Sequence, residues 1–309
     1  MAGKRALFGV AGNPPNFWLS EYRKERANSP EWLHEIGLDA LEIQCTYGVR
    51  MPESRAASFR RISRTHDIRL SIHGPYYISL GSDRPETVLN SINELRKAVD
   101  LAKLIGSTRV VFHLGSPGHD RGLSLARAID ALRRFEREHD LGSVRLYPEI
   151  DGRCRWLGSL DDLLEVCANV ESAYPCLDLA HLHARTQGSL VTQGDFEAVI
   201  DAVVAALGQE ALEHLHWHMY PIEWNGNGEV RHRAFDELKT NVQLSVLSVG
   251  SEAERYLPRF EPLLNVVQRR GLTPRIICEA KDSQDIGALE MKSYYEGLRA
   301  TSRAEDMAS

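Results

Sequence analysis

Arg145-Leu146-Tyr147-Pro148-Glu149-Ile150-Asp151 reads as a buried strand that ends on a carboxylate, Glu149. The same design recurs along the chain, each time as a short apolar run closing on His, Asp or Glu. Arg69–Pro75 closes at His73, and Arg109–Gly115 closes at His113. Pro175–His181 carries Asp178 and His181, Glu213–Met219 carries His216 and His218, and Pro274–Ala280 closes at Glu279. One ligand-type residue at a strand end is ordinary. A succession of strands doing so points to a shared centre, because parallel strands of a barrel bring their C-terminal ends to one face.

The intervening segments have helical spacing. Ser29-Pro30 supplies an N-cap and a first helical proline. Apolar residues Val88, Ile92, Leu95, Val99 and Ala102 recur every three or four positions, and Gly106 closes that helix. Strands are expected at Ala6–Ala11, Ala40–Cys45, Leu70–His73, Val110–His113, Val144–Glu149, Cys176–Ala180, Leu212–Met219 and Arg275–Glu279. Helices are expected between them, with a short extra one near Phe17–Arg26, an irregular stretch from Tyr220 to Arg255, and helices over Tyr256–Arg270 and Ile286–Leu298. Strict alternation means a parallel sheet flanked by helices. The length fits a closed (β/α)8 TIM barrel, α/β in class, as one domain over residues 1–300. Residues 301–309 read as a frayed, disordered tail. A doubly wound open sheet is the structural alternative; it gathers strand ends less readily.

The 309 residues are 43% hydrophobic and 26% charged, as in a soluble globular protein. A net charge of −6 gives no global pull on nucleic acid, although local basic loops remain compatible with it. The five cysteines are scattered with no C-x-x-C pair, which speaks against a disulfide framework and for a reducing, cytoplasmic compartment. No apolar run approaches the ~18 residues of a membrane span. A monomer is expected.

The site candidates are His73, His113, Glu149, Asp178, His181, His216 and Glu279. A lone histidine at a strand end is more often a hydrogen-bonded core residue than a ligand; the set as a whole reverses that balance. Imidazole with carboxylate suits zinc, manganese or iron, and clustered carboxylates repel one another unless cations intervene. Glu42 reads equally as an outer support or a salt-bridge residue, and His183 as structural. Gly226-Asn227-Gly228 reads as a turn. Neither a G-x-S-x-G elbow nor a G-x-G-x-x-G loop is present.

Ser71-Ile72-His73-Gly74-Pro75-Tyr76-Tyr77, Val111-Phe112-His113-Leu114-Gly115-Ser116 and Leu177-Asp178-Leu179-Ala180-His181 resemble segments of the endonuclease IV family of apurinic/apyrimidinic endonucleases, within the xylose-isomerase-like barrels. Ile276-Ile277-Cys278-Glu279 resembles that family's closing strand, and the match runs nearly end to end. The resemblance implies two or three zinc ions, with Mn2+ or Fe2+ as alternatives. His73, His113 and Glu149 would hold the first. Glu149 would share the second with Asp178, His216 and Glu279. His181 and His232 would hold the third. Glu149 and Glu279 would be the catalytic carboxylates, and the substrate would be DNA cut 5′ to an abasic site.

The pattern departs at Gly74, at Leu114, after Glu149, through His216–Trp224 and at Glu279-Ala280-Lys281. The loop Gly228-Glu229-Val230-Arg231-His232-Arg233 also lacks an Asp-x-His pair. A third ion there is expected to be looser, held by His181 and His232 with Glu229 joining if the loop bends. Tyr76, Tyr77, Arg185, Trp224 and Arg231 are the expected substrate contacts, as loop cations for phosphate and rings for stacking. A metal-dependent sugar isomerase or epimerase is the second reading, favoured by a buried Trp224 and few free loop arginines. A non-catalytic binding barrel is the third.

Overall fold

The computed structural model describes residues 5–235 and 257–308. The expected irregular stretch beyond Phe235, and the first residue of the helix expected from Tyr256, lie outside them. Eight parallel strands close into a barrel: β1 (Leu7–Ala11), β2 (Ala40–Gln44), β3 (Arg69–His73), β4 (Arg109–His113), β5 (Arg145–Glu149), β6 (Cys176–Asp178), β7 (His216–His218) and, after an antiparallel hairpin of β8 (Ile222–Asn225) and β9 (Gly228–His232), β10 (Arg275–Cys278). β1 pairs with both β2 and β10, which closes the ring and rules out the open sheet. The β1–β2 approach is close enough that a Cβ on Gly9 would stand 2.2 Å from the Ala40 carbonyl oxygen, so only glycine fits there.

Side-chain alternation divides the core in two. Val110 and Phe112 point outward into the layer beneath the helices, while Val111 packs inside the barrel with Tyr147 and Cys176. The outer helices begin with α1 (Pro15–Leu19), α2 (Ser29–Glu35), α3 (Glu53–Thr65), α4 (Pro85–Ile105), α5 (Arg121–Glu138) and α6 (Leu160–Asn169). α7 (Leu179–Arg185), α8 (Gln193–Leu207), α9 (Phe260–Arg269) and α10 (Gln284–Ala308) follow. α4 shows the mechanism. Leu95, Val99, Ala102 and Ile105 are buried on one face, and each fully buried aliphatic side chain contributes about 1.5–3 kcal/mol. The helix stops at Gly106, which adopts φ +76°.

Several boundaries differ from the sequence reading. β6 ends at Asp178, whose side chain accepts from His181 N and so starts α7 at once. β7 is only three residues long, because a 3-10 turn at Gln209–Glu213 takes the stretch expected to begin it. The Gly226-Asn227 turn belongs to the β8–β9 hairpin, which folds over the top of the barrel. α10 runs to Ala308, through the tail expected to fray. No helix of the described residues is long and apolar enough to cross a membrane.

Candidate metal centre

His73, His113, Glu149, Asp178 and His218 are each the last residue of their strand, and Glu279 follows β10 directly. Register places His113 beside Glu149 and Asp178 beside His218. Five groups of possible donors result: His73 with His113 and Glu149; Glu149 with Asp178, His218 and Glu279; His181 with Glu229 and His232; Cys176 with His216 and His218; and Glu42 with His73 and Glu279. Within each group the ligand atoms lie within 4.8 Å of one another, and Glu149 belongs to two groups. Its Oε2 is 2.8 Å from His73 Nε2 and 3.4 Å from His113 Nε2, while its Oε1 is 2.8 Å from His218 Nδ1.

The tautomers fit ligation. Between a ring nitrogen and a carbonyl only the ring N–H can donate. Nδ1 of His73 lies 2.9 Å from the Gly74 carbonyl, that of His181 2.9 Å from Ile150, and that of His232 2.8 Å from Glu279. Each Nδ1 therefore carries the proton in the neutral ring and each Nε2 offers its lone pair, an arrangement typical of metal-bound imidazoles. Those Nε2 atoms face Glu149, Glu229 and Glu229, at 2.8, 3.2 and 3.4 Å.

The electrostatics agree. Glu149, Asp178, Glu229 and Glu279 have histidines as their only ionic partners among the described residues. Burial pushes the Glu149 carboxyl up, but His113, His218 and His73 outweigh it and hold it well below the usual range. Burial likewise opposes protonation of His73, yet Glu149 lifts it to about 9. Converging anions thus draw protons onto imidazoles, and a divalent cation satisfies the same demand. The donor set fits such ions.

One expected ligand, His216, lies deeper in the barrel than the others. His216 sits one inward-facing position deeper than His218 and both its nitrogens are taken. Arg109, which can only donate, lies 3.3 Å from Nδ1, so Nε2 carries the proton and donates to Glu42 Oε2 at 2.9 Å. Burial depresses its pKa to about 3, so the ring is neutral. His216 groups with Cys176 and His218, and His218 stands with Glu149, Asp178 and Glu279. The hairpin also bends Glu229 into the third group, which completes it with a carboxylate.

The expected substrate contacts divide. Tyr76 and Tyr77 are 55% and 45% exposed at the rim, and with Tyr47 they form an edge-to-face series. Arg185 is committed elsewhere: its guanidinium donates to the carbonyls of Asp151, Arg153, Cys154 and Trp156, pinning the loop after β5. Trp224 is half-buried edge-on against His183, 4.6 Å between centroids. Arg231 donates to Glu223 at 2.8 Å across the hairpin. Arg153 instead lines the metal cleft, a hollow of about 480 Å³ whose walls include His73, Tyr76, His113, His181 and Glu279.

This fold and site define a class, and the chain belongs to it: the xylose isomerase-like TIM barrel family matches over residues 30–303. Among individual relatives, the uncharacterized protein MJ0133 of Methanocaldococcus jannaschii is 26% identical over 298 residues, covering 94% of this chain and 97% of that protein. A probable endonuclease 4 of Streptomyces avermitilis is 28% identical over 166 residues, about half of each chain (51% and 53%). Among solved structures, SacUVDE superposes with a TM-score of 0.67 at 18% identity, covering 96% of this chain and 99% of that one. Endonuclease IV from Thermus thermophilus gives 0.66 at 18% identity, with 96% and 100% coverage. An L-ribulose 3-epimerase gives 0.65 at 15% identity, with 98% of both chains covered. At these identities the structural likenesses establish the fold alone.

Proposed function

We propose that the protein is a metal-dependent phosphodiester hydrolase that cleaves DNA 5′ to abasic sites, in the manner of endonuclease IV. The observation that carries this reading is the donor arrangement, in which Glu149 is shared by two groups and a third lies beside them. Zinc is the first candidate, with manganese or iron as substitutes. Such ions supply Lewis acidity at phosphorus and lower the pKa of water. The chain's own contribution is positional. Glu149 and Glu279 stand in one donor group, and Glu149 is shared with a second. Tyr76 and Tyr77 offer faces for a base exposed beside the lesion. Arg153, held by Asp151 at 2.8 Å, places a cation on the cleft wall for a phosphate. The likeness of half the chain to a probable endonuclease 4 supports the same reading.

A sugar isomerase or epimerase is the second reading, and the half-buried Trp224 and the committed Arg185 and Arg231 speak for it. It needs a carboxylate free to act as base. Glu149, Asp178, Glu229 and Glu279 all belong to donor groups, Glu42 is fully buried behind His216 and His218, and Asp151 is clamped by Arg153. Incision of abasic-site duplex by zinc-loaded protein, beside ketose epimerisation under the same conditions, is the deciding test. Incision adjacent to the abasic site is expected. Sugar turnover without incision would replace this reading with the second.

A further inference from the structure

We propose that Glu42 and His216 are positioning residues, which fix His218 from behind and thereby set how tightly the group of Glu149, Asp178, His218 and Glu279 holds its ion. The inference rests on the metal-binding part of the preceding reading and not on the substrate.

A line of buried polar side chains, joined by hydrogen bonds and one ion pair, leads from β4 to the donor group. It starts at Arg109, on the first residue of β4, whose NH1 lies 3.3 Å from His216 Nδ1 and donates to the Leu215 carbonyl. His216 Nε2 donates to Glu42 Oε2 at 2.9 Å, and the Ser71 hydroxyl donates to the same oxygen at 2.9 Å. Glu42 Oε1 lies 3.1 Å from His218 Nε2, and His218 Nδ1 lies 2.8 Å from Glu149. Glu42, Ser71, His216 and His218 are all 0% exposed.

Each link has a chemical reason. A buried carboxylate is tolerated only when hydrogen-bonded, and Ser71 and His216 serve one oxygen of Glu42. His216 is a suitable donor because Arg109 fixes its tautomer. The other oxygen is left to His218. His218 Nε2 stands 3.1 Å from that oxygen as an ion-pair contact without a hydrogen bond, with Cys176 Sγ 3.7 Å away as its hydrogen-bond partner, while Nδ1 meets Glu149 at 2.8 Å. A carboxylate behind a ligating imidazole both orients the ring and raises its basicity. The sequence has the matching period: His216 and His218 are two apart on one strand and therefore share its inward face.

Chelator competition on the zinc-reconstituted full chain, comparing the parent with Glu42→Gln, tests the proposal. Glutamine keeps the size and an acceptor but removes the charge. One ion, that of the His218 group, is expected to bind roughly 10- to 100-fold more weakly, while the ion at His181, Glu229 and His232 keeps its affinity. The cobalt(II)-substituted variant should show a shifted ligand-field band, which a purely structural role would leave alone. If Glu42→Gln does not fold, Ser71→Ala keeps the charge and should weaken the same ion by roughly 2- to 10-fold. Equal retention of every ion in the variants, or equal loss of every ion, overturns the proposal. A parent that binds no zinc overturns it together with the metal reading, whereas a metal-binding parent that fails to cut DNA leaves it standing.

Discussion

Gly152→Ala should open the group of His181, Glu229 and His232 and leave the two groups that share Glu149 closed. Gly152 lies in the loop after β5 and faces both α7 and the β8–β9 hairpin. A Cβ there would stand 2.6 Å from Glu229 Cβ, 2.8 Å from His181 Cδ2 and 2.9 Å from Glu229 Oε2. Carbon atoms in contact sit about 3.5–4.0 Å apart, so the hairpin or the helix must retreat by about 1 Å. The backbone link, Glu229 N to the Gly152 carbonyl at 3.0 Å, is available to alanine as well, so any effect belongs to the added methyl. Glu229 now lies 3.2 Å from His181 Nε2 and 3.4 Å from His232 Nε2. Metal–ligand distances tolerate only about 0.2 Å, so a displacement of that size breaks the group. Overpacking costs about 1–3 kcal/mol, which at about 2–4 °C per kcal/mol for a chain of this size lowers Tm by roughly 2–12 °C. Metal per chain after mild chelation, read beside the melting curve, is the assay. The variant should lose one ion and keep two. Full retention of all ions in a folded variant would refute the packing argument, and loss of all of them would refute the independence of the third group.

Glu149→Gln removes the charge shared by two groups, so it should strip both of metal and lower activity by orders of magnitude while the His181 group keeps its ion; unchanged metal stoichiometry would remove Glu149 from the centre. Changing Tyr76 and Tyr77 to Ala should weaken abasic-duplex binding roughly 10- to 100-fold, from about 1–3 kcal/mol per stacked base, with metal content unaltered; equal affinities would take the rim out of DNA recognition. Metal removal should create a pH dependence. His73 is raised from 6.5 to about 9 by Glu149 against the opposing effect of burial, so in chelated protein its stabilisation is fully present below about 6.5 and is lost as pH rises through about 9. The melting temperature of the chelated form should fall across that window and that of the loaded form should stay level; parallel profiles would show that ion and proton do not substitute for one another.

The fold was legible because its signals were redundant. Each strand of the barrel carried a short apolar run, each long helix a 3.6-residue period, and Gly106 marked an end that the structure bears out. Where legibility failed, tertiary contacts decided. Ala180 looked like the end of a strand until Asp178 accepted the His181 N–H and began α7. The β8–β9 strands went unread because they are only four and five residues long, too short for a period to stand out. That hairpin is held by packing on α7 and by cross-strand pairs such as Glu223–Arg231.

The site shows how far a ligand-type residue at a strand end can be trusted. It located His73, His113, Glu149, Asp178 and Glu279 on one face, because the end of a parallel strand is a fixed place in a barrel. It could not choose between His216 and His218, since two residues along a strand change depth and not facing. The choice is made by groups remote in sequence: Arg109 and Glu42 use up both nitrogens of the lower ring, and Glu149 meets the upper one. A partial signal was present. On β3, β4, β5 and β6 the candidate donor is the last residue, and His218, not His216, is the last residue of β7. Glu229 was harder to place, because the Glu-x-x-His spacing reaches one centre only through the bulge between Glu223 and Trp224 that shifts the hairpin register. The same reasoning tells the two histidines apart experimentally in that strand: His218 should contribute to metal affinity directly, and His216 only through the carboxylate between them.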